Sequence, residues 1–137
     1  MLADGERTEL ITAARAAANR AYCPYSKFHV GAVVLTGGGE IFSGCNVENA
    51  SYGLTICAER NAVFQAVARS ASPIRLRAVV VFTPTQTPTA PCGACRQVLN
   101  EFGPDCEVLC VCDGPGQLHF MLCELLPNSF GPHNLNG

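Results

Sequence analysis

Three cysteines and one glutamate carry the chemistry this chain can perform. Cys57-Ala58-Glu59-Arg60 sets a thiol two residues before a carboxylate, and Pro91-Cys92-Gly93-Ala94-Cys95 supplies two more thiols. Three thiolates on one zinc ion leave the fourth tetrahedral position open, which a catalytic zinc needs and a structural zinc lacks. A carboxylate at position 59 can then move protons to and from water at that position without ligating the metal. A Cys-x-Glu alone means nothing, and a lone Cys-x-x-Cys is moderate evidence. Both together, separated by the length of a helix and a strand, form a strong signal.

The elements that must hold these residues are legible from periodicity. Residues 4–21 read as a helix with Asp4 as N-cap, because Leu10, Ala13, Ala14, Ala17 and Ala21 recur at helical spacing. Its alanines suggest close packing on a sheet. Tyr22-Cys23-Pro24 breaks it. Residues 28–36 read as a strand, Gly37-Gly38-Gly39 as a turn and residues 40–45 as the returning strand of a hairpin. Asn46-Val47-Glu48-Asn49 reads locally as a polar loop with an Asx turn.

Cys57 is expected in the first turn of a helix reaching about residue 70, with Ala58, Ala62, Val63, Ala66 and Val67 on one apolar face. Free backbone N–H groups and the positive dipole end favour a thiolate there. Arg60, three residues on, lies over the same face. Residues 76–83 contain the run Ala78-Val79-Val80-Val81-Phe82, which suits a central strand buried on both faces. A second helix begins at Cys92, puts Cys95 on the same face, and ends at Gly103-Pro104. Residues 107–112 and 117–120 read as strands joined by Asp113-Gly114-Pro115-Gly116, too short for anything but antiparallel pairing. Residues 122–126 make a helical turn, and an irregular tail follows Pro127. The expected fold is α/β: three layers, with one mixed sheet of about five strands packed by helices.

Bulk properties narrow the function. A length of 137 residues argues for a single domain over 1–137. No apolar run approaches the roughly eighteen residues of a membrane span, and the first residues lack the basic and apolar regions of a signal peptide. Nine cysteines is an odd number, which outside a secretory context argues for reduced thiols, metal binding and a cytoplasmic location. A net charge of -2, without a basic stripe, removes the footprint of a nucleic-acid binder.

These motifs carry a resemblance. Cys57-Ala58-Glu59-Arg60, Pro91-Cys92-Gly93-Ala94-Cys95-Arg96-Gln97-Val98, Tyr25-Ser26-Lys27-Phe28-His29-Val30-Gly31-Ala32 and Gly44-Cys45-Asn46-Val47-Glu48-Asn49 closely resemble the small homo-oligomeric cytidine deaminases. The likeness runs from about residue 21 to residue 132, including the tail Leu126-Pro127-Asn128-Ser129-Phe130-Gly131-Pro132. It implies hydrolytic deamination of cytidine and deoxycytidine to uridine and deoxyuridine plus ammonia, in pyrimidine salvage. It implies one zinc per chain on Cys57, Cys92 and Cys95, with Glu59 as the catalytic proton shuttle. Arg60 would hydrogen-bond the thiolates and draw charge from them, offsetting the weak Lewis acidity of a zinc with three anionic ligands. The Ala58 N–H would hold the pyrimidine carbonyl, Phe28 would pack on the base, and Asn46 and Glu48 would bind the ribose hydroxyls. The resemblance also implies self-association, as a homotetramer, with Phe130 reaching a neighbouring subunit's site. Cys23, Cys45, Cys106, Cys110, Cys112 and Cys123 are expected as small buried hydrophobes.

Three rivals compete. A thioredoxin-like dithiol at Cys92 and Cys95 leaves Cys57 and Glu59 idle. A structural zinc module needs a fourth protein ligand, and no further Cys or His has a suitable spacing. An editing deaminase of polynucleotides would carry a basic surface and parallel last strands joined by a helix, not a Gly-Pro-Gly hairpin.

Overall fold

The computed structural model describes residues 1–135; the last two residues, which the single-domain expectation includes, lie outside the described residues. The elements run α1 (Asp4–Ala18), β1 (Gly31–Thr36), β2 (Ile41–Cys45), a single 3-10 turn (Tyr52–Leu54), α2 (Ala58–Arg69), β3 (Leu76–Thr83), α3 (Gly93–Phe102), β4 (Glu107–Cys112), β5 (Leu118–Met121), α4 (Leu122–Leu125) and α5 (Pro132–Leu135). One five-stranded sheet has the order β2-β1-β3-β4-β5. Among the described strands, β3 and β4 pair in parallel, through the crossover helix α3, and the other neighbouring strands pair antiparallel. The mixed sheet and three layers match the expectation.

Alternation along the strands builds two cores, one on each face. Ala32 and Val34, Val79 and Val81, and Val108 and Cys110 point toward Ala58, Ala62, Val63, Ala66 and Leu99 of α2 and α3. Val33 and Leu35, Val80 and Phe82, and Leu109 and Val111 point toward Leu10, Ala14 and Ala18 of α1. β1 and β4 are buried on both sides, and so is β3 from Ala78 onward, as its continuous valine run requires.

Two glycines let the helices approach the sheet. A Cβ on Gly31 would lie 2.0 Å from the Ala14 carbonyl oxygen, and one on Gly44 would lie 2.3 Å from the Ala62 nitrogen. Small residues at these crossings draw α1 onto β1 and α2 onto β2.

This topology brings the chemistry together. β2 and β3 point the same way, since both run antiparallel to β1. The loops leaving them lead into α2 and α3, so both helix N-termini open beyond the same edge of the sheet. The segment entering antiparallel β1 reaches that edge too, bringing Tyr25 to Val30 with it. Open α/β sheets bind ligands at such an edge.

Several boundaries differ from expectation. α1 begins after Ala3, not Asp4, because Glu6 reaches back to accept the Ala3 N–H at 3.1 Å and caps the helix without a polar N-cap side chain. It ends at Ala18, and α5 gives the tail one short helix. Residues 28–30 stand outside β1: the Asn46 amide donates to the Phe28 carbonyl at 2.8 Å and accepts the Val30 N–H at 2.9 Å, taking up backbone groups a ladder would need.

Candidate metal and active site

Cys57 and Cys92 are the N-cap residues of α2 and α3, one position before the expected first turn. Neither makes a side-chain cap hydrogen bond, so both sulfurs are free to face outward. Cys95, in the first turn of α3, is fully buried. The three sulfurs lie within 4.8 Å of one another, with Cys92 to Cys95 at 3.5 Å and Cys57 to Cys92 at 4.0 Å. Zinc–sulfur bonds of about 2.3 Å at tetrahedral angles require sulfurs about 3.8 Å apart. The thiols thus fit zinc in spacing and in softness. Among the described residues this cluster holds no fourth His, Cys, Asp or Glu, which leaves one tetrahedral position open.

Charge at the cluster is arranged for thiolates. The Arg60 guanidinium donates to the Cys57 sulfur at 3.4 Å. Contact with the Cys95 thiol, and then with Arg60, pulls Cys57 down to about 5, while the same thiol–thiol contact holds a proton on Cys95 and raises it. Burial instead pushes Cys106 and Cys110 up to about 12 and raises Cys23 and Cys45. Raised in this way, those thiols stay protonated at neutral pH, and Cys23, Cys106 and Cys110 are core residues. Two depart from the expected burial: Cys45, at the end of β2, is half-buried, and Cys123 lies exposed on α4.

Glu59 sits in the first turn of α2 with only 5% exposure. Burial pushes its carboxyl up to about 7. A carboxylate in that range can both take and give a proton at neutral pH. The Arg60 Nε is buried without a hydrogen-bond partner, so its guanidinium keeps donor capacity at the cluster.

A small set of backbone bridges holds the polar loop against this centre. Val47 and Ile56 exchange two backbone hydrogen bonds at 3.0 Å, which brings Asn46 and Glu48 beside the residue preceding Cys57. Tyr22 bridges Val47 from the other side. Asn61, one turn into α2, donates to the Cys45 carbonyl at 2.8 Å and ties the end of β2 to the same helix. Glu48 lines a cavity of about 340 Å³ with Tyr25, Ser26, Tyr52 and Thr55. Asn46 keeps one amide proton and one lone pair after holding Phe28 and Val30. Phe28 is partly exposed, so its ring is not core.

Phe130 is 59% exposed, yet its backbone is firmly held. Its carbonyl accepts from Gln97 at 2.8 Å and from the buried Asn100 at 3.3 Å, both on α3. The helix that carries Cys95 therefore presents an aromatic ring to the surroundings. Sequence reasoning assigned no role to Ser26, Tyr52, Asn61, Gln97 or Asn100. The partners that tie them to the site, Glu48 for Ser26, Cys45 for Asn61 and Phe130 for Gln97 and Asn100, are distant in sequence, so local spacing does not reveal them.

Comparison with known proteins agrees with this arrangement. Residues 5–112 match the family model described as the cytidine and deoxycytidylate deaminase zinc-binding region. Cytidine deaminase from Halalkalibacterium halodurans is 41% identical over 132 residues, covering 96% of this chain and 98% of that one. A crystal structure of cytidine deaminase from Burkholderia pseudomallei superposes with a TM-score of 0.85 at 48% identity, covering 90% of this chain and 98% of the other. Cytidine deaminase from Mycobacterium tuberculosis gives a TM-score of 0.76 at 40% identity, covering 92% and 98%. Three thiols at zinc spacing, a buried glutamate on the same helix start and this likeness over nearly the whole fold lead to one assignment: the chain belongs to the cytidine and deoxycytidylate deaminase family.

Proposed function

We propose that this chain is a zinc-dependent enzyme that hydrolyses cytidine and deoxycytidine to uridine and deoxyuridine plus ammonia, as a step of pyrimidine salvage. The observation that carries the reading is a cluster of three thiols with an open fourth position and a buried Glu59 beside it. Cys57, Cys92 and Cys95 would hold the zinc, which when bound supplies activation of water at neutral pH. Glu59 takes a proton from the attacking water and passes it to pyrimidine N3. Attack by the water oxygen at C4 then forms the new C–O bond. Glu59 next takes the remaining proton from the new C4 hydroxyl and delivers it to the departing amine; the C4 carbonyl forms as the C4–N4 bond breaks, and ammonia leaves. One carboxylate thus acts as base and then as acid.

Other residues bind and orient. The Ala58 N–H, at the open end of α2, holds the pyrimidine carbonyl oxygen. Phe28 packs on the base. Asn46 and Glu48 hydrogen-bond the sugar hydroxyls. Arg60 draws charge off the Cys57 sulfur, where it already donates. The test is a spectrophotometric assay of cytidine conversion with and without a chelator: activity abolished by chelation and restored by zinc supports the reading, and no conversion by zinc-loaded protein refutes it.

The sugar cavity favours a nucleoside over a nucleotide. Its lining includes the Glu48 carboxylate and no Lys or Arg. A 5′-phosphate brought near it would meet like charge, so kcat/KM for the monophosphate is expected to fall well below that for cytidine. Deoxycytidine monophosphate and single-stranded DNA are therefore expected to be poor substrates. Faster turnover of the monophosphate than of cytidine would overturn this.

The whole chain, residues 1–137, would form one such domain that assembles with itself as a homotetramer. Charged residues make up 15%, against about 25% in an average domain. Phe64 and Val67 stand half exposed on α2, and Phe130 is exposed on a held backbone. Exposed apolar surface of this kind marks interfaces. Phe130 would then pack near the base in a neighbouring subunit. Mixed oligomers of the Phe130→Ala and Glu59→Gln variants would contain some sites with an intact Glu59 and a neighbour's intact Phe130. Their activity is expected to exceed the mean of the two parents. No excess, with subunit exchange confirmed by mass measurement, would assign Phe130 to its own chain. A reducing compartment, the cytoplasm, suits an enzyme with nine free cysteines.

A further inference from the structure

Glu48 is held by a neighbour with no assigned part in the chemistry. The backbone N–H groups of Tyr25 and Ser26 both donate to Glu48 Oε1 at 3.1 Å. The Ser26 hydroxyl donates to Glu48 Oε2. That hydroxyl in turn accepts the Phe28 N–H at 3.0 Å. A serine hydroxyl carries a single proton, so once its oxygen accepts from Phe28 the proton is directed to Glu48. The loop is wound to make this possible: Lys27 adopts φ 59, a left-handed conformation that non-glycine residues seldom take, and turns the Phe28 N–H back onto Ser26.

A carboxylate offers about four lone-pair sites. Three are occupied here, two on Oε1 and one on Oε2. One site on Oε2 remains, in a side chain that lines the cavity with Ser26, Tyr25, Tyr52 and Thr55. The Ser26 hydroxyl also holds the Glu48 carboxyl below the usual carboxylate range, so it accepts as an anion. A charged acceptor with a single vacant site, fixed in rotation, suits one incoming hydroxyl donor.

We infer that Ser26 is a positioning residue that sets sugar specificity, by fixing the Glu48 carboxylate so that its one vacant site meets a substrate sugar hydroxyl. This rests on the reading of Glu48 as a sugar ligand. Ser26 itself need not touch the substrate. Without its hydroxyl, Oε2 gains a second vacant site, the carboxylate can rotate, and the Phe28 N–H loses its acceptor.

The test compares two substrates that differ only in the sugar: cytidine and 2′,3′-dideoxycytidine. The readout is the ratio of their kcat/KM values on one preparation, so a partial loss of folded or zinc-loaded enzyme cancels. In Ser26→Ala the ratio is expected to fall about tenfold, through a raised KM for cytidine, since hydrogen bonds to charged groups are the stronger ones. Ser26→Thr keeps a hydroxyl and is expected to retain the ratio. Ser26→Gly also lacks the hydroxyl and serves should the alanine variant fail to fold. Glu48→Gln separates the two levels of the argument. A ratio that collapses in Glu48→Gln but is unchanged in Ser26→Ala overturns the role of Ser26, which would then merely support the loop. A ratio unchanged in both overturns Glu48 as the sugar ligand.

Discussion

Turnover by Glu59→Gln is expected to drop by several orders of magnitude while zinc content and fold persist. General acid–base help is worth about 10²- to 10⁴-fold per proton transfer, and the proposed mechanism routes two transfers through this one carboxylate. Gln matches the shape of Glu, and an uncharged amide is no harder to enclose at a site with 5% exposure. Glu59 makes none of the three thiol contacts, so the metal cluster should load normally. The check pairs kcat from the absorbance change with zinc per chain from elemental analysis. Full zinc with near-normal kcat would show that another group moves the proton. Lost zinc would show that Glu59 is structural. The amide can still hydrogen-bond but cannot carry the proton, so KM should change far less than kcat.

How much of this site could be read from the chain depends on the range of each interaction. The strand β3 was legible because Ala78 to Phe82 is apolar without interruption, and only burial on both faces accommodates such a run. The thiol cluster was legible because helix periodicity puts Cys92 and Cys95 on one face, and both motifs begin helices. The segment 28–30 misled for the converse reason. Its apolar pattern continues into β1, but Asn46, distant in sequence, captures its backbone. The Asn46 and Glu48 loop read locally as an ordinary polar turn; only the Val47–Ile56 bridge sets it against the zinc helix. The α1 start was shifted by Glu6, a capping partner that acts from within the first turn. Cys123 was expected inside because free cysteines usually are, yet it falls on the open side of the short α4.

Cys57→Ala is expected to lose both zinc and activity while keeping its fold. Two thiols, Cys92 and Cys95, would remain from one side of the cluster. Two ligands from one helix start do not enclose the ion, and Arg60 would keep its charge with no thiolate to offset. Loss of the helix cap is not the cause to fear: Cys57 makes no side-chain capping bond, so α2 starts as well from alanine. Cys110→Ala is the matched control. Its thiol sits in the helix-side core and lies outside the three-thiol cluster. That variant should lose roughly 1 kcal/mol of stability, an ordinary core effect, and keep its full zinc. The zinc-free Cys57→Ala protein should also lose the dependence of its melting temperature on added zinc, because binding to the native state alone raises stability with ligand concentration. Retention of one zinc per chain by Cys57→Ala would remove Cys57 from the ligand set. Loss of zinc from both variants would mean that the metal follows general stability, not the three-thiol cluster.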